Sequence, residues 1–247
     1  MFRPDVTDLH SFYSTPLGMA TCRALRWAIR QLLPSKPENT VQQMIGLGYA
    51  LPYLLPFLEQ DKNRIGAVMP AGQGVIHWPR NNTDNLTVLA EETELPFHNQ
   101  SIDKTLIIHS LEFTDMELFL PELWRILSPG GQALFIVPSR TGCWSRAEKT
   151  PFGHGRPYSA MQLEKALKEA FFIPVKTTHA LFMPPTQIRG LLHFSRLLER
   201  IGHFLGLPFG GVVMVLAEKR VHAPINGLKK PAFVPGPARA AIGLRRD

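Results

Sequence analysis

The sequence has little cysteine and no internal repeat. It also lacks the common motifs of enzymes that use a serine nucleophile, a zinc ion or a nucleoside triphosphate. Two cysteines, Cys22 and Cys143, are too few for a disulfide framework, and there is no C-x-x-C pair. A Gly-x-Ser-x-Gly elbow, a Walker loop and a His-Glu-x-x-His motif are also absent. The 22 prolines and 19 glycines follow no period, which excludes collagen-like and solenoid architectures. We therefore expect a metal-free globular protein in a reducing, cytoplasmic setting.

A membrane-spanning or secretory segment is also not indicated. The uncharged stretch 39–58 has the length of a membrane span, but it contains two glutamines, two glycines and two prolines. It is better interpreted as strand, loop and helix in succession. The first residues, Met-Phe-Arg-Pro-Asp, lack the apolar core of a secretory signal. We expect neither export nor a transmembrane segment.

The net charge of +7 is concentrated at the carboxyl-terminal end. Residues 219–247 contain seven Lys or Arg residues and a single acid, which leaves residues 1–218 nearly neutral. A nearly neutral globular part gives no electrostatic case for a nucleic-acid partner. The Pro- and Gly-rich tail, 221–247, is predicted not to fold alone. It is either a passive solvated tail or a contact site for acidic protein, RNA or a membrane surface, and a protein partner would dock there.

The order of apolar runs predicts an α/β fold. Helices with one apolar face alternate with short apolar runs that end at turn residues. Helices are predicted at 16–33, 51–60, 114–127, 159–171 and 187–205, and strands at 40–45, 64–69, 86–90, 104–109, 133–138, 172–177 and 210–218. Such alternation favours a Rossmann-like three-layer sandwich with a mostly parallel seven-stranded sheet. We expect a helical extension at 1–39, one domain at 40–220 and the basic tail.

Four stretches follow one another along this domain. The first is a glycine loop at 45–50, and the second is an acidic, Leu-Pro-Phe and Ser-Ile-Asp run at 91–103. The third is His-Ser-Leu-Glu at 109–112, and the fourth, 123–138, joins a helix end, a Ser-Pro-Gly-Gly turn and an apolar strand. In this order they resemble the class I S-adenosylmethionine-dependent methyltransferases, particularly the ubiquinone-biosynthesis-like type that acts on small molecules. The resemblance covers about residues 40–218.

The resemblance implies S-adenosylmethionine as the cofactor and S-adenosylhomocysteine as the product. It places the cofactor against Gly46, Gly48 and Tyr49 after the first strand and against Met69 at the end of the second. Glu91 resembles the acid that hydrogen-bonds the adenine amino group in this family. Glycines suit the position because a backbone without Cβ atoms can approach a ligand at the carboxyl edge of an open sheet.

The resemblance also implies an acceptor side with two histidines. His109 ends the fourth strand and is expected to face the cleft, and His154 lies in the loop 139–158, where this family builds acceptor specificity. Imidazole titrates near neutral pH, so either histidine suits a general base or an acceptor contact. We expect a small-molecule or lipid-like acceptor.

Two positions depart from the family pattern. The family usually has an acid two residues before the first glycine, where this chain has Met44, and another at the end of the second strand, where it has Met69. Loss of a charged hydrogen bond costs about 1.5–3 kcal/mol. Two hypotheses follow: an active methyltransferase, and a methyltransferase-like binding or regulatory protein that has lost catalysis. A third, methylation of RNA or protein guided by the tail, has only the tail's charge in its favour.

Overall fold

The structure, a computed structural model, describes residues 2–33, 41–58, 63–79, 84–186 and 188–220. Its centre is one seven-stranded sheet with the order β3-β2-β1-β4-β5-β7-β6. The strands are β1 (Gln42–Gly48), β2 (Asn63–Met69), β3 (Thr87–Leu89), β4 (Ile102–Ile108), β5 (Leu127–Pro138), β6 (Phe172–Ala180) and β7 (Val212–Lys219). β1 to β5 are parallel, while β7 is antiparallel to both β5 and β6. The predicted mostly parallel, Rossmann-like sheet is confirmed.

Seven α-helices cover the two faces of the sheet in the described part of the chain. They are α1 (Val6–Ser14), α2 (Pro16–Leu32), α3 (Leu51–Leu58), α4 (Met116–Ile126), α5 (Ala160–Glu169), α6 (Arg189–His193) and α7 (Ser195–Phe204). The core under α1, α2 and α3 includes Leu9, Leu25 and Tyr53. The core under α4 and α5 includes Phe119 and Leu163. No helix in these ranges combines the length and the apolar character that a membrane span requires.

The structure corrects the predicted helices in three places. The polar start of the chain contains a further helix, α1, capped by the Asp5 carboxylate, which accepts hydrogen bonds from the N–H groups of Thr7 and Asp8. The predicted helix 187–205 is two helices that meet at Phe194, and residue 187 lies outside the described residues. The helix predicted at 114–127 begins later, at Met116, and its N-cap is Asp115. The predicted tail, 221–247, also lies outside the described residues.

A proline in the middle of α3 is accommodated by an arginine from α2. Pro56 has no N–H, so the carbonyl of Pro52 one turn earlier lacks its helical partner. Nε and Nη2 of Arg26 donate to that carbonyl at 2.8 and 2.5 Å. The helix begins directly after the glycine loop, at Leu51, as the sequence predicted, and it continues through Pro56 to Leu58.

Candidate active site

The glycine loop lies where the strand order of the sheet reverses. β1 and β4 are neighbours, β2 and β3 extend the sheet on one side, and β5 to β7 extend it on the other. The carboxyl ends of β1 and β4 meet in register at Gly48 and Ile108. Open α/β sheets bind ligands outside the carboxyl ends of the strands at such a reversal. The predicted glycine motif is therefore at the position in the fold where a ligand site is expected.

The two glycines of the loop are required for different reasons. Gly48 has a φ of +77°, and a Cβ atom there would lie 2.2 Å from the carbonyl oxygen of Ile108. At Gly46, a Cβ atom would lie 2.5 Å from the Cβ of Ala50 and 2.8 Å from a side-chain carbon of Leu54. Gly48 thus allows β1 to turn tightly beside β4, while Gly46 allows α3 to pack against the strand.

The N-terminal segment, defined here as residues 3–13, crosses the carboxyl edge of the sheet above this loop. The N–H of Val6 donates to the carbonyl of Gln73, in the turn after β2, at 2.7 Å. Leu9 is fully buried, and the ring of Tyr13 stacks on that of Tyr49 with centroids 5.5 Å apart. Tyr49 and Met69, both predicted to contact a cofactor, are consequently buried. In this conformation the segment covers the cleft beside the glycine loop, and a cavity of about 630 Å³ remains there, lined in part by Tyr13 and Tyr49.

A chain of polar side chains joins the N-terminal segment to the end of β4. The hydroxyl of Tyr53 donates to that of Tyr13 at 2.8 Å, and the Tyr13 hydroxyl lies 2.8 Å from Nε2 of His109. Because Tyr13 accepts the hydrogen bond from Tyr53, its own hydroxyl proton is directed to Nε2 of His109. Nδ1 faces Oε1 of Glu112 at 3.5 Å. Burial raises the pKa of Tyr13 and of Tyr53 well above the usual range, so both hydroxyls stay protonated.

His109 also has an unusual backbone conformation. Its φ is +55°, in the left-handed region that residues with a side chain rarely adopt. The amide Nε2 of Gln73 donates to its carbonyl at 3.3 Å, and the ring of Phe152 packs against the imidazole at 4.7 Å. Such backbone strain persists only where the surroundings hold it, and it is concentrated at functional sites.

The acid that turns into the site is Glu92, one residue after the predicted Glu91. Glu91 is exposed, whereas Glu92 is buried and paired with Arg3 of the N-terminal segment at 2.5 Å. Oε1 of Glu92 also accepts hydrogen bonds from the hydroxyls of Ser110 and Thr114, at 2.9 and 2.7 Å. This carboxylate therefore ties the first residues of the chain to the carboxyl ends of β3 and β4.

Several buried polar atoms around His109 have no hydrogen-bond partner within the described part of the chain. They are Nε of Arg3, Oε1 of Gln73, and the two atoms that face each other at 3.5 Å without a hydrogen bond, Nδ1 of His109 and Oε1 of Glu112. Leaving a buried donor or acceptor unpaired costs about 1–3 kcal/mol. A cluster of such atoms beside a glycine loop is what a binding site for a polar ligand provides.

A second cavity lies on the other side of the N-terminal segment. It has a volume of about 840 Å³ and is lined by Phe2, Asp8 and Phe12 of the N-terminal part, and by Arg146, Lys149 and His154 of the loop after β5, among others. His154 is half-buried, and its ring contacts that of Phe2 at 5.2 Å. Phe152, which packs on His109, belongs to the same loop.

The structure thus brings together Gly46, Gly48, Tyr49, Met69 and His109, and it places Glu91 at the surface and His154 in the neighbouring cavity. The roles assigned to these residues stay predictions. Sequence reasoning missed Arg3 and Tyr13, which are 89 and 96 residues from their partners Glu92 and His109, so no local pattern reveals them. In the described ranges, no group of three or more His, Cys, Asp or Glu side chains is arranged to hold a metal ion.

Comparisons with known proteins agree with this fold. Residues 48–135, from the second glycine of the loop through most of β5, match the family model of the methyltransferase domain. No curated protein sequence matches the chain. Similar solved structures include an S-adenosylmethionine-dependent methyltransferase from Thermotoga maritima, with 18% identity, a TM-score of 0.61 and coverage of 87% of this chain and 96% of the other.

Two further structures have the same architecture. Geranyl diphosphate C-methyltransferase from Streptomyces coelicolor, solved with Mg²⁺, geranyl-S-thiolodiphosphate and S-adenosyl-L-homocysteine, has 13% identity and a TM-score of 0.55, and the match covers 79% of this chain and 75% of that one. A methyltransferase from Mesorhizobium loti has 15% identity and a TM-score of 0.55, covering 78% and 96%. At these identities the likeness establishes the fold.

Proposed function

We propose that this chain, whose residues 48–135 belong to the methyltransferase domain family, transfers the methyl group of S-adenosylmethionine to a small-molecule or lipid-like acceptor. The observation that carries the proposal is the position of Gly48. Its positive φ and its close approach to Ile108 shape the glycine loop. This loop lies at the reversal of strand order, beside the buried polar atoms that lack a hydrogen bond.

The residues at this edge fit such a cofactor once the N-terminal segment moves aside. The backbone at Gly46, Gly48 and Tyr49 would hold the amino-acid end. Oε1 of Gln73, in the turn that follows Met69, is buried without a hydrogen-bond partner and would supply the hydrogen-bond acceptor that methionine lacks. Bound S-adenosylmethionine supplies an already activated methyl group, so the protein's main contribution is alignment.

Two histidines would serve the acceptor side. His109, held by Tyr13 and Phe152, lies at the inner end of the cleft. His154 lines the 840 Å³ cavity, which is wide enough for a small molecule and has both charged and aromatic walls. Phe152 packs on His109, which does not line that cavity, so the acceptor would reach His109 from there only when the N-terminal segment or Phe152 shifts.

Calorimetric titration with S-adenosylmethionine and S-adenosylhomocysteine tests the proposal directly. Binding is expected to the wild type and to be abolished in Gly48→Trp. Since that variant also disturbs the fold, Arg3→Gln is the second test: it releases the N-terminal segment without touching the glycine loop, and we expect tighter binding. Absence of binding to both the wild type and Arg3→Gln at millimolar cofactor would overturn the proposal.

The alternative is a non-catalytic binding protein of the same fold. The family match gives it no support, and the observation on its side is the covered cleft, where Tyr13, Tyr49 and Met69 are buried. The same titration separates the two functions, because a non-catalytic protein with a permanently closed cleft binds neither cofactor even after Arg3 is replaced.

A further inference from the structure

Helix α7 is turned with its apolar face toward solvent. Its buried residues are Ser195, Glu199 and Gly202, which are polar or small. The opposite face exposes Leu197, Ile201 and Phe204, and Phe204 is 90% exposed. At about 100° per residue these three share one side of the helix. A surface helix of a globular protein normally buries its apolar face, so this orientation is reversed.

The reversed orientation is fixed by contacts on the buried side. The Glu199 carboxylate accepts hydrogen bonds from the N–H groups of Leu181 and Met183, at 3.1 and 3.3 Å. Gly202 lies so close to the ring of Phe182 that a Cβ atom would be 2.2 Å from it. A rotation of α7 that buried Phe204 would break both contacts. The apolar stripe therefore remains outside in this fold.

Further apolar side chains extend the stripe beyond the helix. Phe194 precedes α7, Leu205 and Phe209 follow it, and all three are more exposed than buried. The helix thus stands at the centre of an apolar surface, which we name the α7 face: Phe194, Leu197, Ile201, Phe204, Leu205 and Phe209. Exposed apolar patches of this kind mark binding sites for a protein or a membrane.

Arginines border the α7 face on the side of α2. A groove between the two helices is lined by Arg23, Arg30, Arg196 and Arg200, all exposed, and by Arg26 and Trp27. The only carboxylate among the described residues of this groove is Glu199, whose oxygens already bond to backbone N–H groups. No ion pair to any of these arginines is found within the described ranges.

We propose that the α7 face and its arginines dock on the surface of an anionic phospholipid membrane. Aromatic and aliphatic side chains on one face of a helix, flanked by basic residues, are the combination that interfacial helices use: the apolar side chains enter the acyl boundary and the arginines contact phosphates. The docking does not depend on the proposed methyl transfer, although it would place the neighbouring cleft beside a lipid-like acceptor.

Charge argues against two other partners for the α7 face, namely the tail of this chain and a second copy of the chain. The tail, residues 221–247, contains five Lys or Arg residues and one acid, so the arginines around the groove repel it. A second copy paired through the same face would bring together two surfaces that are both bordered by arginines. Anionic lipid headgroups supply the opposite charge that neither occupant provides.

Vesicle sedimentation of the full chain tests the proposal. The probes are extruded vesicles of phosphatidylcholine alone and of phosphatidylcholine mixed with phosphatidylglycerol. We expect strong binding to the mixed vesicles and weak binding to the neutral ones. Leu197→Ser with Phe204→Ser should lower the partition coefficient at least about tenfold, because two apolar side chains no longer leave water. Arg196→Gln with Arg200→Gln should lower it about 30-fold on the mixed vesicles only.

Matched controls separate this face from the rest of the surface. Met161→Ser removes an equally exposed apolar side chain from α5, on the other side of the sheet, and should leave binding unchanged. Trp27, part of the groove, should shift its emission to shorter wavelength on mixed vesicles, and Trp27→Phe should remove that shift. Both α7 variants change exposed side chains, so the fold is expected to persist and circular dichroism verifies it.

Four results would overturn the proposal. They are no binding to either vesicle, equal binding to both, wild-type binding by the two α7 double variants, and a concentration-dependent dimer that Leu197→Ser with Phe204→Ser abolishes. The third would assign vesicle binding to the basic tail, and the fourth would assign the α7 face to a second copy. None of these results affects the cofactor titration, so the two proposals fail independently.

Discussion

The hydroxyl of Tyr13 lies 2.8 Å from Nε2 of His109, and this contact closes the cleft at the carboxyl end of β4. Tyr13 also stacks on Tyr49, directly after the glycine loop. Tyr13 therefore contacts both Tyr49, which the sequence assigns to the cofactor, and His109, which it assigns to the acceptor. A ligand that enters this cleft competes with Tyr13, and its affinity is reduced by the stability of the closed state.

Tyr13→Phe should weaken this closure. The change leaves Nε2 of His109 and the Tyr53 hydroxyl without a partner, so we expect the free energy of unfolding to fall by about 1–3 kcal/mol. Under the proposed function, S-adenosylmethionine should bind about fivefold or more tightly, as measured by calorimetry. Tyr158→Phe is the matched control, since its hydroxyl donates a long hydrogen bond, 3.4 Å, to the carbonyl of Leu111. Unchanged affinity in Tyr13→Phe would contradict the competition.

Gly48→Ala should be far more destabilising than Gly130→Ala. Both glycines have a positive φ, +77° and +76°, so the conformational cost to alanine, about 1–2 kcal/mol, is the same. A Cβ atom at Gly48 meets the Ile108 carbonyl at 2.2 Å, whereas nothing lies within 4 Å at Gly130. Urea unfolding of the two variants measures the difference, which is the steric cost at the glycine loop. Equal losses would show that the loop tolerates a side chain.

Glu199 should make stability depend on pH. Burial raises the pKa of this carboxyl above its ordinary value of 4.5, so above that pH the folded state keeps a proton that the unfolded state has lost. Stability contributed by the protonated group is therefore lost as pH rises through the raised pKa. Glu199→Gln removes this titration.

The measurement is urea unfolding of the wild type and Glu199→Gln from about pH 4 upward, the range in which carboxyl groups titrate. The free energy of unfolding of the variant minus that of the wild type should increase with pH. Loss of the carboxylate oxygen that accepts a hydrogen bond shifts this difference by a constant and does not change the trend. Glu169→Gln, at an exposed position of α5, should show no such trend. A difference that is flat or that decreases with pH would contradict the prediction.

Lys219→Met should destabilise the end of α4. Nζ of Lys219 donates to the carbonyls of Trp124 and Leu127, each at 2.7 Å, and it lies 5.0 Å from the centre of the Trp124 ring. Methionine fills the space but leaves both carbonyls without this donor, at a cost of about 1.5–3 kcal/mol. Thermal unfolding should show the loss, while Lys165→Met, on the surface of α5, should change stability by less than about 0.5 kcal/mol.

The sheet could be predicted because each strand carries its own local signal. Continuous apolar runs such as 133–138 indicate strands buried on both faces, and turn residues separate them. The reversed direction of β7, the one strand antiparallel to its neighbours in the described sheet, could not be predicted, because it depends on where α6 and α7 return the chain rather than on the strand sequences. The helix α1 was missed because its buried residues, Val6, Leu9 and Tyr13, are few and stand among polar neighbours.

The site could be predicted only in part, for a similar reason. Gly48 is identifiable because a glycine after a strand has a local conformational meaning. Glu91 and Glu92 are adjacent in a loop, and which of them turns inward depends on Arg3, far away in the chain. The outward face of α7 was also beyond prediction, since helical spacing shows that an apolar face exists but not which way it points.

The pairing of Arg3 with Glu92 has a consequence for the order of folding. The two residues are 89 positions apart. The Glu92 carboxylate is itself held by hydrogen bonds from Ser110 and Thr114, which come later still in the chain. During synthesis the N-terminal segment leaves the ribosome first, yet its docking site does not exist until β3, β4 and the turn after β4 have formed. The segment that closes the cleft is therefore made first and placed after the centre of the sheet, and ribosome-bound chains shorter than about 114 residues should leave it open to proteolysis.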